Sequence, residues 1–217
     1  MLQILPLLAV LAAPQQFREI PGLLPGPSVW TEAALPIDAN EDGLLDILFV
    51  NAQGWEFPGD YQAPSSNPLP PTLLINTGTS GGAPQFADQT AAFFPAGFAI
   101  HGKNAAICDV DGDGHEDLVF AVAFGDSQRL FRKDATTGTY VDESFRLPPI
   151  DVNSWHVGWG DLDDDGDLDL VFNDAGPATF MPPGGTARLL LNDGSGFFTD
   201  ASAQLGAIPK IGPQNLK

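Results

Sequence analysis

The sequence predicts an all-β protein, made of about three four-stranded antiparallel repeats of the type that form β-propeller blades. Three observations lead to this prediction. The 217 residues include 24 Gly and 20 Pro, which divide the chain into short segments. Apolar residues come in short runs that end at Gly, Pro, Asn or Asp, a pattern typical of strands and turns. One acidic motif also recurs with the same spacing, which indicates internal repeats.

The recurring motif is an acidic loop that runs into an apolar strand. It reads DANEDGLLDILF at residues 38–49, DVDGDGHEDLVF at 109–120 and DLDDDGDLDLVF at 161–172. Each copy has Asp at positions 1 and 9, Asp or Asn at position 3, Asp-Gly at positions 5 and 6, and Phe at position 12. We call the first nine residues of the three copies loop 1, loop 2 and loop 3. Single loops of this composition are common solvated turns, but three copies in one register favour a shared ligand.

Two further elements follow each loop. The first is a strand that ends at a polar residue, Asn76 in TLLIN and Asn192 in RLLLN, and we place Arg132 at this position in the second copy. The second element is an aromatic residue, any residue and an acid, found as FAD, YVD and FTD, and as FRE at Phe17. Its acid precedes the next loop by a nearly constant distance, which supports a regular repeat.

Each unit therefore contains four short strands over a period typical of a propeller blade. The spacing predicts one propeller region over residues 14–217, with repeats at about 17–85, 86–139 and 140–197. Propellers close with about four to eight blades, so three repeats make an incomplete propeller. Extrapolation of the spacing predicts the truncated start of a fourth repeat after residue 197. A Pro-rich insertion at 52–71 lengthens the first unit.

Charge and the N-terminal segment limit the class of protein. The formal net charge is −19, with 28 acids against 9 bases, which excludes nucleic acid as a partner and favours cations. Residues 1–13 are apolar, end in small residues and are too short to span a bilayer, so we expect a secretory signal peptide. We expect no transmembrane segment, and a secreted, periplasmic or cell-surface location.

The acidic loops are predicted to bind metal. Carboxylates at positions 1, 3 and 5 with Gly at 6 are typical of the first half of an EF-hand, but Phe at position 12 excludes that motif. We expect Asp at position 9 and the carbonyl of position 7 to complete an all-oxygen site, which favours Ca²⁺. Up to three structural calcium ions are expected, with loop 1 the weakest site because position 3 is Asn40. The predicted ligands are Asp38, Asn40, Asp42, Leu44 and Asp46 in loop 1, Asp109, Asp111, Asp113, His115 and Asp117 in loop 2, and Asp161, Asp163, Asp165, Asp167 and Asp169 in loop 3.

Taken together, these loops, the LLxN strand and the FADQT segment starting at Phe86 resemble the FG-GAP/VCBS repeats. The resemblance covers nearly the whole chain from Phe17 onward. It implies propeller blades whose loops bind Ca²⁺ through positions 1, 3, 5 and 9. Such repeats occur in integrin α-chains and in many secreted bacterial proteins, where roles include adhesion and carbohydrate-related catalysis.

No catalytic constellation is recognised in the sequence. GTSGG at 78–82 matches a nucleophile elbow, but no helix pattern follows it, and we expect a hairpin turn. His101 has no evident partner, and His156, which stands next to Trp155 and near Trp159 on an entry strand, is expected to have a structural packing role. Cys108 is expected to be a buried apolar residue. We therefore expect a secreted calcium-binding scaffold for binding or adhesion to an extracellular protein or carbohydrate.

The alternative is the propeller part of a secreted carbohydrate-active enzyme, a polysaccharide lyase or hydrolase. Three aromatic residues of the insertion, Trp55, Phe57 and Tyr61, would favour glycan binding under either hypothesis.

Overall fold

The computed structural model describes residues 22, 24–25, 29, 31–52, 68–124, 126–150, 152–176 and 184–206. The predicted signal segment 1–13 and Phe17 lie outside these residues, as do Trp55, Phe57 and Tyr61 of the Pro-rich insertion. Among the described residues, no helix has the length and apolar character needed to cross a membrane.

The described residues form three four-stranded antiparallel sheets, which we call blade 1, blade 2 and blade 3. Blade 1 contains β1 (Thr31–Ile37), β2 (Asp46–Asn51), β3 (Thr72–Ser80) and β4 (Ala83–Asp88). Blade 2 contains β5 (Gly102–Cys108), β6 (Asp117–Val122), β7 (Arg129–Lys133) and β8 (Tyr140–Asp142). Blade 3 contains β9 (Val157–Gly160), β10 (Asp169–Phe172), β11 (Arg188–Asn192) and β12 (Phe198–Asp200).

Neighbouring strands of each blade follow one another in the chain, as in a meander. Helical structure in the described ranges is confined to α1 (Thr90–Phe93) and to two 3₁₀ turns, Ser144–Arg146 and Ser202–Leu205. The predicted all-β fold, with four antiparallel strands per repeat in an incomplete propeller-like arrangement, is confirmed.

The Phe-x-Asp and Tyr-x-Asp segments form the last strand of each sheet. Phe86 lies opposite Asn76 in blade 1, and Tyr140 lies opposite Lys133 in blade 2. Each predicted repeat therefore starts in the last strand of one sheet. Each sheet, in contrast, starts with the strand that precedes its acidic loop. The GTSGG segment lies in the β3–β4 hairpin, where Ser80 faces Ala83 across the turn. It is therefore a hairpin turn, as expected.

The blades pack face to face through two apolar clusters. The first cluster joins blades 1 and 2 and includes Leu48, Val50 and Leu73 with Leu118 and Phe120. Phe94 and Phe98 add aromatic rings to this cluster: the Phe98 and Phe131 centroids are 4.4 Å apart, and those of Phe94 and Tyr140 are 5.3 Å apart. Ring pairs at these distances add about 0.5–1.5 kcal/mol each beyond their burial.

The second cluster joins blades 2 and 3. It includes Val119, Ala121 and Leu130 of blade 2 with Leu170 and Phe172 of blade 3. Because blade 2 has a neighbour on each face, all six residues of β6 are buried. Burial on both faces explains why LVFAV, which follows Asp117, is a continuous apolar run rather than an alternating one.

Candidate metal sites in the acidic loops

Each acidic loop connects the first and second strands of its blade. Loop 1 joins β1 to β2, loop 2 joins β5 to β6, and loop 3 joins β9 to β10. The aspartate at position 9 is the first residue of the second strand in every blade. The three loops therefore occupy equivalent places on three equivalent hairpins.

The position 9 aspartate connects its loop to the third strand. In loop 2, Asp117 is fully buried; its Oδ2 accepts a hydrogen bond from the Val110 N–H at 3.0 Å, and its Oδ1 accepts one from the Lys133 N–H at 2.7 Å. The same pair of contacts, at 2.7–2.9 Å, recurs for Asp46 with Ala39 and Asn76, and for Asp169 with Leu162 and Asn192. This carboxylate therefore holds the fold together in addition to any metal role, which the sequence did not predict.

Burial disfavours the ionised form of the position 9 aspartate when no cation lies beside it. Burial raises the pKa of Asp117 to about 7; two backbone N–H donors oppose the rise, and the charges of Asp111 and Asp113 add to it. Burial likewise raises the pKa of Asp46. A cation beside such a carboxylate would favour its ionised form.

Positions 1 and 5 shape the loop through hydrogen bonds to its own backbone. Asp109 accepts bonds from the N–H groups of Gly112 at 2.8 Å and Gly114 at 2.8 Å, and Asp113 accepts one from His115 at 3.0 Å. Equivalent bonds from the residue at position 6 to the aspartate at position 1 are present in loops 1 and 3. Gly114 has φ +90°, a backbone conformation that explains the Gly at position 6.

Carboxylates converge in loops 2 and 3. Oxygens of Asp109, Asp111 and Asp117 lie within 4.8 Å of one another, and the equivalent residues of loop 3 form a second such group, Asp161, Asp163 and Asp169. Asp111 Oδ1 is buried and has no hydrogen-bond partner among the described residues. A group of three carboxylates that includes a buried, unpaired oxygen fits a hard cation with oxygen ligands, such as Ca²⁺.

Loop 1 differs from the other two loops. No group of three carboxylates this close occurs in loop 1, judged over the residues that the structure describes. Its position 3 is Asn40, whose amide donates to Asp42 Oδ2 at 2.9 Å and whose Oδ1 accepts the Asp42 N–H at 3.2 Å. Asn40 is therefore engaged within its own loop.

Positions 5 and 7 lie outside these carboxylate groups. The position 5 aspartates (Asp42, Asp113 and Asp165) and the position 7 carbonyls (Leu44, His115 and Asp167) therefore stay predictions as ligands. The side chain of His115 instead contacts loop 1, with Nδ1 at 2.6 Å from Glu41 Oε1. This hydrogen bond raises the pKa of His115.

The third strand of blade 2 requires a correction. Strand pairing places Phe131 opposite Leu118, as Leu190 lies opposite Leu170 in blade 3. Lys133, and not Arg132, is therefore the counterpart of Asn192. The prediction was wrong because Arg132 is the first polar residue after the apolar pair Leu130 and Phe131, although the strand continues for one more residue. The position 9 aspartate of each loop accepts a hydrogen bond from the backbone N–H at this position of the third strand, which fixes the register.

The side chain at this position also connects consecutive blades, through Lys133 in blade 2 and Asn192 in blade 3. Asn192 Nδ2 donates to the Val110 carbonyl of loop 2 at 2.7 Å. Lys133 Nζ donates to the Ala39 carbonyl of loop 1 in the equivalent manner. Ala39 and Val110 both occupy position 2 of their loops, so blades 2 and 3 each form a hydrogen bond to the acidic loop of the blade before them.

Two of the three histidines differ from expectation. His101 has a partner, because its Nδ1 lies 2.7 Å from Asp126 Oδ2. His156 is exposed and immediately precedes β9, so the predicted packing role of its side chain is wrong; its backbone N–H donates to Asn173 Oδ1 at 2.7 Å. The Asp126 partner lies 25 residues from His101, and no local sequence pattern marks it. Cys108 is buried, as predicted, and burial raises its pKa to about 12.

Comparison with known proteins agrees with the repeated blades. Residues 109–172 match the family model described as FG-GAP-like repeat. This span runs from the start of loop 2 through the rest of blade 2 and loop 3 to the end of β10. A search of curated proteins finds no match. Residues 109–172 are therefore similar to an FG-GAP-like repeat, and they lie on a chain of three equivalent blades.

Proposed function

We propose that this chain is a calcium-stabilised β-propeller scaffold that binds a partner outside the cell. The observation that carries the proposal is the convergence of Asp109, Asp111 and Asp117, with one buried Asp111 oxygen that no described residue satisfies. Loop 3 repeats the arrangement, and two similar constellations on consecutive blades are a regular feature of the fold rather than an accident of one turn.

Calcium would act here as a structural ion. The carboxylates at positions 1, 3 and 9 would hold it, together with the position 5 aspartate and the position 7 carbonyl predicted from the sequence. Its charge would offset the mutual repulsion of these acids, which is about 4 kcal/mol for a pair 4 Å apart at an effective dielectric of 20. Because position 9 also binds the third strand, the ion would stabilise the loop and the blade together.

A thermal melt with calcium, magnesium or chelator tests the proposal. Extracellular calcium sites bind at about 10⁻⁴–10⁻³ M, so each site contributes about 0.4–1.4 kcal/mol at millimolar calcium. Two sites in a chain of this length should raise the melting temperature by about 2–10 °C. The double variant Asp111→Asn, Asp163→Asn is the matched control and should lose this response. A wild-type melt that calcium leaves unchanged would refute the proposal.

The extracellular location is proposed on two grounds. Calcium sites of this strength fill only where calcium is millimolar, and the segment 1–13 has the composition of a signal peptide. Expression of the full sequence in a bacterial host should yield exported protein lacking this segment, measured by intact mass. Retention of the segment on protein that remains inside the cell would contradict the proposed location.

The proposed partner is an extracellular protein or a carbohydrate. FG-GAP-like repeats on propeller blades support a binding or adhesion role. Direct binding to a panel of immobilised glycans and extracellular matrix proteins, with and without calcium, tests this part of the proposal. Binding that disappears with chelator is expected, and no binding to any member of either class would count against the scaffold role.

A further inference from the structure

Lys133 is a buried lysine placed against the acidic loop of the neighbouring blade. Only 3% of its surface is exposed, and its ammonium donates to the Ala39 carbonyl of loop 1. The rings of Phe93 and Tyr140 flank the ammonium, with centroids at 5.3 Å and 5.1 Å. Carbonyl oxygens and aromatic faces are favourable surroundings for a desolvated cation.

The carboxylates around this ammonium belong largely to loop 1. Asp38, Glu41 and Asp46 of loop 1 act on it electrostatically, and so does Glu116 of loop 2. Lys133 therefore brings an ammonium group from blade 2 to the loop of blade 1, which has the fewest acids. Loop 1 contains four acids, whereas loop 2 contains five and loop 3 contains six.

No buried ammonium among the described residues lies against either of the other two loops. Arg132 pairs with loop 2, because its Nε lies 3.8 Å from Asp111 Oδ2 and its Nη1 lies 3.4 Å from Asp113 Oδ2. Arg132 is only half-buried, however, and it is also shared with Glu143, whose Oε2 is 3.3 Å from Nε. Loop 3 has no ion pair with any basic side chain that the structure describes. Loop 3 thus has the most acids and no ion pair among the described residues, whereas the buried Lys133 ammonium lies against loop 1, which has the fewest acids.

We propose that Lys133 is the resident cation of loop 1 and replaces calcium there, so that the chain binds calcium at loops 2 and 3 only. The inference rests on the proposed calcium-binding function. Its physical basis is that a divalent ion in loop 1 would be repelled by an ammonium that cannot leave its buried place. The amide of Asn40 in place of a position 3 carboxylate removes one further attraction for the ion.

The structure provides the matched substitution. Asn192 stands at the equivalent residue of blade 3 and donates to the position 2 carbonyl of loop 2 without a charge. Lys133→Asn therefore keeps a donor of the type used one blade later and removes the ammonium. The reciprocal variant Asn192→Lys places an ammonium against loop 2. Lys133→Met, which keeps the aliphatic stem, is a second route if Lys133→Asn does not fold.

The test is a count of bound calcium per chain by equilibrium dialysis of the full chain, at calcium about ten times the millimolar Kd expected for such sites. Circular dichroism first verifies that each variant is folded. We expect two ions for the wild type, three for Lys133→Asn or Lys133→Met, and one for Asn192→Lys. A wild type that binds three ions, or a Lys133 variant that still binds two, overturns the inference. A wild type that binds none shows instead that the proposed function has failed.

Discussion

Replacing Asp169 with alanine separates the two roles of the position 9 aspartate. This fully buried carboxylate accepts the Leu162 N–H at 2.8 Å and the Asn192 N–H at 2.9 Å, and it also belongs to the carboxylate group of loop 3. Asp163 belongs to the same group but is exposed. Asp163→Ala is therefore the matched control, because it removes a proposed ligand and leaves both backbone bonds in place.

The expected loss follows from these two bonds. A hydrogen bond to a charged group contributes about 1.5–3 kcal/mol, so two such bonds set a range of about 3–6 kcal/mol. Leu162 is 53% exposed, so water can satisfy its N–H after the substitution, whereas Asn192 is buried and its N–H remains unpaired. We therefore expect Asp169→Ala to lose about 3–4 kcal/mol of unfolding free energy, a large part of the 5–15 kcal/mol typical of a native protein.

Urea denaturation followed by tryptophan fluorescence measures this loss, first in chelator and then in calcium. In chelator, Asp169→Ala should unfold at much lower urea than the wild type, while Asp163→Ala should stay within about 0.5 kcal/mol of it. In calcium, both variants should lack the stabilisation contributed by loop 3. Equal stability of the two variants in chelator would refute the structural role assigned to position 9.

Three further predictions follow from individual contacts. Asn192→Ala removes the side-chain bond to the Val110 carbonyl between blades and should lower the unfolding free energy by about 1–3 kcal/mol in chelator, measured by urea denaturation; an unchanged midpoint would contradict the interblade role. The pKa of Asp117 is about 7 in the fold against 3.8 unfolded, so its neutral form favours the folded state below about pH 4, and this stability is lost as pH rises through 7. The difference in unfolding free energy between wild type and Asp117→Asn in chelator should therefore change by at most about 4 kcal/mol between pH 4 and pH 7. A difference that does not depend on pH would be evidence against the raised pKa of Asp117. Cys108, buried and with its pKa raised to about 12, should not react with a thiol reagent until urea unfolds the chain, whereas fast labelling of native protein would contradict its burial.

The blade architecture was predictable because its signals are local and repeated. The chain repeats Asp-Gly turns, short apolar runs and position 12 phenylalanines at fixed spacing. Each set of these features forms one four-stranded sheet. Phe120 and Phe172 are fully buried between blades, whereas Phe49 in blade 1 is only half-buried. The repeat pattern alone cannot distinguish these environments, because burial depends on which neighbour covers each face.

The site was only partly predictable because its important contacts are non-local. The motif identified position 9 as a carboxylate, but its bond from Asp117 to the Lys133 N–H spans 16 residues and depends on strand register. The contact of Lys133 with Ala39 spans 94 residues and depends on how two blades pack. Because the sequence alignment placed Arg132 at this position, one residue too early, it did not predict the role of Lys133.

Crystals grown in saturating calcium offer the most direct test of the central claim, that the acidic loops are calcium sites. An anomalous difference map should show one peak among the carboxylates of Asp109, Asp111 and Asp117 and a second in the equivalent group of loop 3. A map from such crystals with no peak in either loop would contradict the account.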